Sequence, residues 1–429
     1  QGQALSAEVP LDANHNPDGA SLDENRVNVG LGYDRPVGAA RLGAVVSFTH
    51  TSHDNFRGFL TSVSVEPPNA VGLRQTIDTT DLYADAHLAL PERRHVRLVV
   101  GADWLHGMGD SKGAVFSYTA PLDGASATSA ARPADMPLGS EDRREFFGGY
   151  GLAEWRPTTR VTLSAGLRLN LTAEKREEGD EAGARIAGMG RDSQTLTRVS
   201  GSLGALVSLW EQGANHARVF AVYRNTFKPA IFDFGLGEAG ESGLLNPETA
   251  QSVEGGLKVR TFEGRADFEA SAFRMDFTNL VTATVVNGLP ALLNAGETRF
   301  QGAEVAAGLH LPHHMTGRLS YSFHDGRFVD SERAFDGVVT QLAGKRSEMS
   351  PRHLVSAGAY VAPDDGPIAS LVVRYTGDRY MDKRNRALAA GFATVDLGVG
   401  YRSGHYELRL DGRNLGDARD VRVNLGVRF

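Results

Sequence analysis

The sequence predicts an all-β protein, an antiparallel transmembrane β-barrel. Three observations predict it: period-two alternation from end to end, connections that are short and long by turns, and a last strand that alternates up to a terminal aromatic. The alternation comes first. Val27, Val29, Leu31 and Tyr33 alternate with Asn28, Gly30, Gly32 and Asp34, and Leu42, Ala44, Val46 and Phe48 share a face opposite Arg41, Gly43 and Ser47. Val96, Leu98, Val100, Ala102 and Trp104 oppose Arg97, Gly101 and Asp103, and the pattern recurs at Val161–Asn170 and at Thr394–Arg402. One face is aliphatic with an aromatic near an end, and the other carries charge, hydroxyls and glycine. Strands between lipid and a wet lumen must read this way. Soluble sandwiches and propellers also alternate, so strand length and connections have to decide.

The alternating runs cover about 10 to 13 residues, enough to cross a bilayer at a tilt of roughly 45°, whereas soluble strands average about 5 or 6. Short connections fall at Pro36–Ala40, Pro91–Arg94, Arg156–Thr159, Glu211–Asn215, Phe262–Gly264, Leu311–His313, Ala362–Gly366 and Arg402–Gly404. Long polar loops are expected between them, at Thr51–Thr76, Gly107–Arg143, Leu171–Gln194, Phe227–Pro247, Thr278–Thr298 and Asp325–Ser350. Short turns on one side and long loops on the other are the outer-membrane pattern, and no blade-like repeat competes with it. These boundaries give about 17 strands. The first would descend from the long-loop side and the last would also end on the short-turn side. Bacterial barrels of this kind close with an even number. An odd number of further strands is therefore expected, missing before the first or hidden in Gln1–Leu22, and a parent barrel of about 22 strands would lack about five here. The connection Leu415 to Val421 is short for its side.

Composition excludes several other classes. The 429 residues include 50 glycines and no cysteine, which removes disulfide scaffolds, thiolate metal sites and cysteine nucleophiles. A net charge of −7 without a basic stripe argues against nucleic acid as a partner. Gln1 opens the sequence with no charged-then-apolar leader after it, as expected of a chain beginning past a processing site or past an introduced cut. The final residues Val423, Leu425, Val427 and Phe429 alternate up to the terminal aromatic. This ending resembles the C-terminal signature of outer-membrane proteins, and implies recognition by the barrel-assembly machinery.

Several segments resemble the TonB-dependent receptor and transporter family. They are Tyr223-Arg224-Asn225-Thr226-Phe227-Lys228-Pro229, Leu245-Asn246-Pro247-Glu248-Thr249 and Val253-Glu254-Gly255-Gly256-Leu257-Lys258. Asp276-Phe277-Thr278-Asn279-Leu280-Val281, Asn294-Ala295-Gly296, Gln301-Gly302-Ala303-Glu304 and Asn414-Leu415-Gly416-Asp417 follow in order. The chain would then be a barrel domain over residues 1–429 without its N-terminal plug. The resemblance implies a Gram-negative outer membrane, contact with lipid and lipopolysaccharide, and import of a scarce ligand energised by a TonB-class protein through the plug. A small metal chelate is the implied ligand, a ferric siderophore first among them. No enzyme activity and no cofactor is expected.

Ordinary barrel architecture accounts for most of these motif residues, since Pro and Asn-Pro start loops and Glu254 would face the lumen. For ligand contact the candidates are Arg224, Phe227 and Lys228, because cations and an aromatic near a loop entrance suit an anionic chelate. The segment Phe227–Pro247 holds no histidine, which counts against haem. His50, His53, His313, His314 and His324 lack the spacing of metal ligands, so no metal site is expected. The Gly235–Gly240 and Gly109–Gly113 matches to dinucleotide and nucleophile motifs lack the helices those chemistries need. The acidic run Glu174–Glu181 reads as a solvated loop, with ion-bridged lipopolysaccharide as its alternative partner. Two rival functions remain open: a passive porin, constricted by Gly107–Arg143 folded inward, and an outer-membrane enzyme with a catalytic cluster at one rim.

Overall fold

A computed structural model describes residues 14–61, 68–123, 125, 136–179, 191–229, 244–286, 289–294, 296–335, 338–416 and 420–427. The first strands are β1 (Ser21–Val37), β2 (Ala40–Leu60), β3 (Ala70–Ala89), β4 (Val96–Tyr118), β5 (Met136–Thr158), β6 (Val161–Gly179) and β7 (Arg191–Gln212). They are followed by β8 (Asn215–Lys228), β9 (Glu248–Thr261), β10 (Ala266–Thr278) and the short pair β11 (Val281–Val286) and β12 (Leu289–Asn294). Next come β13 (Glu297–Leu311), β14 (Met315–Asp330), the pair β15 (Glu332–Phe335) and β16 (Val338–Gln341), β17 (His353–Val361) and β18 (Gly366–Thr376). The chain closes with the pair β19 (Arg379–Tyr380) and β20 (Leu388–Ala389), then β21 (Phe392–Ser403), β22 (Tyr406–Arg413) and β23 (Asp420–Val427).

Seventeen of these strands form one antiparallel meander in which each pairs with the next along the chain. The remaining six make three separate two-stranded hairpins, all in connections on the same rim. That rim is the one predicted to carry long loops. Tight turns occupy the other rim, and their conformation explains an oddity of the sequence. His313 and His314 both have positive φ, as do Arg94 with His95 and Phe262 with Glu263. Two successive left-handed residues make the turn whose twist matches a hairpin. These histidines are turn residues.

Strand lengths depart from expectation on one side of the sheet. Runs of about the predicted length occur at β10 (13 residues), β18 (11) and β21 (12). In contrast, β2 has 21 residues, β4 and β5 have 23 each, and β7 has 22. A tilted strand needs only about 9 to 11 residues to cross lipid. On β4 the outward apolar series Val96, Leu98, Val100, Ala102 ends at Trp104, whose indole donates to Glu145 Oε2 at 2.8 Å. His106 lies beside the same carboxylate, and Asp110 and Lys112 continue the outward face above it. Beyond the lipid an outward residue need not be apolar, so the alternation fades while the hydrogen-bonded ladder continues. Large parts of the expected loops Thr51–Thr76, Gly107–Arg143 and Leu171–Gln194 are therefore strand, and Gly107–Tyr118 extends the wall as part of β4. This raised wall has its own apolar core of Ala70, Phe116, Tyr118 and Ala120, with Phe56 and Leu60 against it.

The two edges of the meander are β1 and β23, and among the described residues neither has a partner on its outer side. Both run toward the short-turn rim, so they are parallel to each other. On β22 and β23, Leu410 pairs with Val423 and Leu408 with Leu425, which places a continuous apolar face outward. Val427 is the last residue of β23, and Phe429 lies outside the described residues.

Candidate ligand site on the inner wall

The polar face of the alternating strands carries one connected network. Asp103 on β4 is almost fully buried and takes a two-pronged bond from Arg168 on β6, both contacts at 2.7 Å. The guanidinium reaches across β5 because the residue between them is Gly148. A Cβ there would collide with Arg168 and would come within 2.6 Å of Asp103. Bidentate geometry makes this among the stronger kinds of side-chain bond. Arg168 also lies over the rings of Phe146 at 5.4 Å and Tyr150 at 5.6 Å. The Tyr150 hydroxyl donates to Asp85 at 2.8 Å, and His87 contacts the other Asp85 oxygen at 2.9 Å.

This network borders a recess of about 470 Å³ whose lining includes Tyr83, Asp103, Arg168, Ser200, Arg224 and Thr226. The register explains the grouping, since Arg168 is opposite Ser200 and Ser202 is opposite Arg224. Of the three sequence candidates, Arg224 thus lines the recess. Across the β8–β9 ladder it stands 3.7 Å from Glu254 and remains more than half exposed. Lys228 sits four residues further along β8, 3.2 Å from Glu248. Phe227 stacks on Phe146 at 6.4 Å between ring centroids, which links it to the aromatic bed under Arg168. The three candidates are therefore in one neighbourhood, and each cation already has a carboxylate opposite it.

Three of the motif segments meet at the rim above. Asn246 N donates to the Asn294 side chain at 2.9 Å, and Asn294 returns a bond to the Asn246 carbonyl at 3.0 Å. Asn294 also donates to the Asn279 carbonyl at 2.8 Å, and Glu248 accepts from Val281 N at 2.6 Å. Pro247 is fully buried at this junction. Asn279 adopts positive φ, which asparagine tolerates better than most residues. These residues pin loops together, as the architectural reading expects.

The acidic run departs from its expectation. Glu174 is 3% exposed within β6, where Arg144 bonds it at 2.7 Å and Gln194 at 2.6 Å. Asp142 and Arg176 are equally buried beside it. Glu174 is thus a structural carboxylate of the raised wall, while residues 180 and 181 lie outside the described residues. So does Gly235–Gly240. Gly109–Gly113 is plain strand within β4. The described residues hold no group of three His, Asp or Glu placed to bind a metal.

Residues 5–415 match the family described as TonB dependent receptor-like, beta-barrel. The chain belongs to this family. The receptor barrel is 27% identical over 227 residues to the ferrioxamine B receptor of Salmonella typhimurium (strain SL1344), a stretch that is 51% of this chain and 30% of that protein. Among solved structures, the siderophore receptor PiuA from Acinetobacter baumannii superposes with a TM-score of 0.73 at 14% identity, covering 96% of this chain and 64% of that one. The ferric yersiniabactin uptake receptor FyuA from Yersinia pestis gives 0.71 at 16%, covering 96% and 62%. At such identities the likeness shows the fold. The receptor barrel spans less than two thirds of the length of these relatives, and it is a protein of the Gram-negative outer membrane.

Asp103, Tyr150 and Arg168 were not legible as a site. Each falls on the polar face of its own strand, but only the pairing register across β4, β5 and β6 brings them together. Gly148, between Phe146 and Tyr150 on the same face of its strand, is the one local signal of a side chain crossing above it.

Proposed function

We propose that the receptor barrel is the wall of an energised outer-membrane transporter that imports a ferric siderophore. The observation that carries this reading is the family match over nearly the whole chain, joined to a relative named for ferrioxamine B. The inner wall supports it with a half-exposed cation, Arg224, on a recess floored by aromatics and Arg168, a setting for a compact polar chelate. A sheet this wide cannot fill its own lumen with side chains. We propose that a plug domain occupies it in the whole protein, and that a TonB-class protein acts on that plug. Lipid, lipopolysaccharide and the barrel-assembly machinery are the remaining proposed partners, and no catalytic role is proposed.

Open strand edges inside lipid leave backbone groups without partners, which a bilayer does not tolerate. Because β1 and β23 are parallel, an antiparallel seam between them needs an odd number of further strands, and we propose that the whole protein supplies them. The test of the ligand reading is equilibrium binding of a ferric trihydroxamate to the purified full-length receptor. Arg224→Ala should weaken binding by about tenfold, as expected from loss of one charged contact. Unchanged affinity in Arg224→Ala and Phe227→Ala together would move the ligand elsewhere.

A further inference from the structure

The outward face of β14 changes character above its aromatic residues. Leu319, Tyr321 and Phe323 share that face with Asp325 and Arg327, because side chains two apart on a strand point the same way. The Tyr321 hydroxyl lies 3.0 Å from His353 Nδ1, and the Phe323 ring is 5.4 Å from the same imidazole, an aromatic group of the kind that marks where lipid ends. Beyond it the pairing sets guanidiniums side by side. Arg327 is opposite Arg299 on β13 and, on its other side, opposite Arg346. Like charges directly opposite each other destabilise a sheet. Carboxylates offset part of this. Asp276 accepts from Arg299 Nε at 2.5 Å and from Arg274 Nε at 2.9 Å. Asp325 accepts from Arg327 Nε at 2.8 Å and from Arg352 Nε at 2.9 Å, and Arg346 has Asp378 at 3.3 Å. Four arginines thus share two aspartates, an excess of two positive charges. Asp325 is buried, whereas Arg274 and Arg327 are 53% and 43% exposed. Arg299 gives only its Nε to a carboxylate, and among the described residues its two terminal nitrogens have no hydrogen-bond partner. One pairing further from the lipid, Glu297 stands opposite Asp330, which confines the positive charge to a single band.

We infer that this arginine band binds the phosphate of a lipid headgroup in the surrounding leaflet, held between Arg299 and Arg327. Depth supports the assignment. Arg327 lies four residues beyond Phe323, about 13 Å along the strand and roughly 9 Å along the membrane normal at a tilt of about 45°. That is the headgroup layer above the hydrocarbon. A phosphate offers several oxygens to the planar fork of a guanidinium, so one group bonds both arginines and cancels their repulsion. The occupant is a lipid because an apolar groove continues the same face toward the short turns, lined by Leu309, Leu319 and Leu371, where acyl chains can lie. The inference rests on the proposal that lipopolysaccharide is a partner and adds where its phosphate sits. It is independent of the inner-wall recess and of what the receptor imports.

The experiment is native mass spectrometry of the full-length receptor in detergent, titrated with bisphosphorylated lipid A and with the same lipid stripped of its phosphates. The expected result is retention of the phosphorylated lipid at least tenfold tighter than of the stripped one, and a loss of at least tenfold in Arg299→Gln/Arg327→Gln. That variant should still melt with the natural protein when lipid is absent, since Asp276 keeps Arg274 and Asp325 keeps Arg352. Arg299→Lys/Arg327→Lys, which keeps both charges and loses the forks, should give a smaller loss and serves if the glutamine pair does not fold. Arg318→Gln, on the lumen face of the same strand, should change nothing. Undiminished retention in the glutamine and lysine pairs, or an equal loss in Arg318→Gln, would overturn the band as the site while leaving the lipid a partner. Retention of neither lipid by the natural protein would overturn the partner reading itself. Displacement of the lipid by millimolar inorganic phosphate would overturn a lipid as the occupant.

Discussion

Single residues set the chemistry of the wall, and two of them make sharp predictions. In the β19–β20 connection, Asp382 Oδ1 accepts from the backbone N–H of Arg386 at 2.7 Å and of Ala387 at 2.8 Å. Burial alone would raise this carboxyl, but those bonds and the Arg386 charge outweigh it and hold the pKa below its ordinary 3.8. A carboxylate depressed on folding stabilises the fold above its unfolded pKa and stops doing so as pH falls through the folded value. Exchange protection of the Arg386 and Ala387 amides should then be intact at neutral pH and fade only below 3.8, whereas Asp382→Asn should lack it at every pH. On the inner wall, Asp103→Asn should cost about 2 kcal/mol, under the 3–5 of a fully buried pair because Arg168 is 29% exposed. Asp103→Leu with Arg168→Met should cost less than either single change, since no unpaired charge remains. Thermal melts of the four proteins would decide this, and a double variant worse than both singles would contradict it. Residue identities such as Asp103 and Arg168 were readable as lumen-facing from alternation alone. Their pairing was not, because it depends on register across strands that are 65 positions apart in the chain.

At the scale of the element, alternation carried the argument only as far as the membrane does. The tight turns and the apolar faces, including Val423 and Leu425 on β23, lie where period two places them. Above the lipid the selection for apolar residues ends, so β4 and β5 continue as strands through sequence that looks like loop. The hairpins β11–β12, β15–β16 and β19–β20 were hidden for a related reason: runs of two to six residues are too short for a period to register. The two faces of a spanning strand make a direct test on β14. Leu319→Arg, facing lipid near mid-bilayer, should destabilise by about 2–4 kcal/mol, while Ser320→Arg on the lumen face should cost under about 1 kcal/mol. Equal costs in a refolding titration would mean that the faces are assigned wrongly.

At the scale of the molecule, the described residues make a seventeen-stranded sheet whose two edge strands, β1 and β23, run parallel to each other. Cysteines at Val29 and Phe48, directly opposite on β1 and β2, should cross-link in the full-length receptor under mild oxidation. Cysteines at Val29 and Leu425 should not, because the proposed further strands separate β1 from β23. Efficient cross-linking of the second pair would contradict the proposed seam. Fold and family were legible in the sequence because a barrel imposes its pattern on every strand. The ligand was not, because the proposed contacts Arg224, Phe227 and Lys228 share no local signature. The most direct measurement of the central claim is accumulation of radioiron from a ferric trihydroxamate by cells carrying the full-length receptor, with and without a protonophore. Energised import predicts that accumulation collapses by about tenfold or more when the proton gradient is removed, while binding at the cell surface persists. Accumulation that continues undiminished without the gradient would contradict it and make the barrel a passive pore.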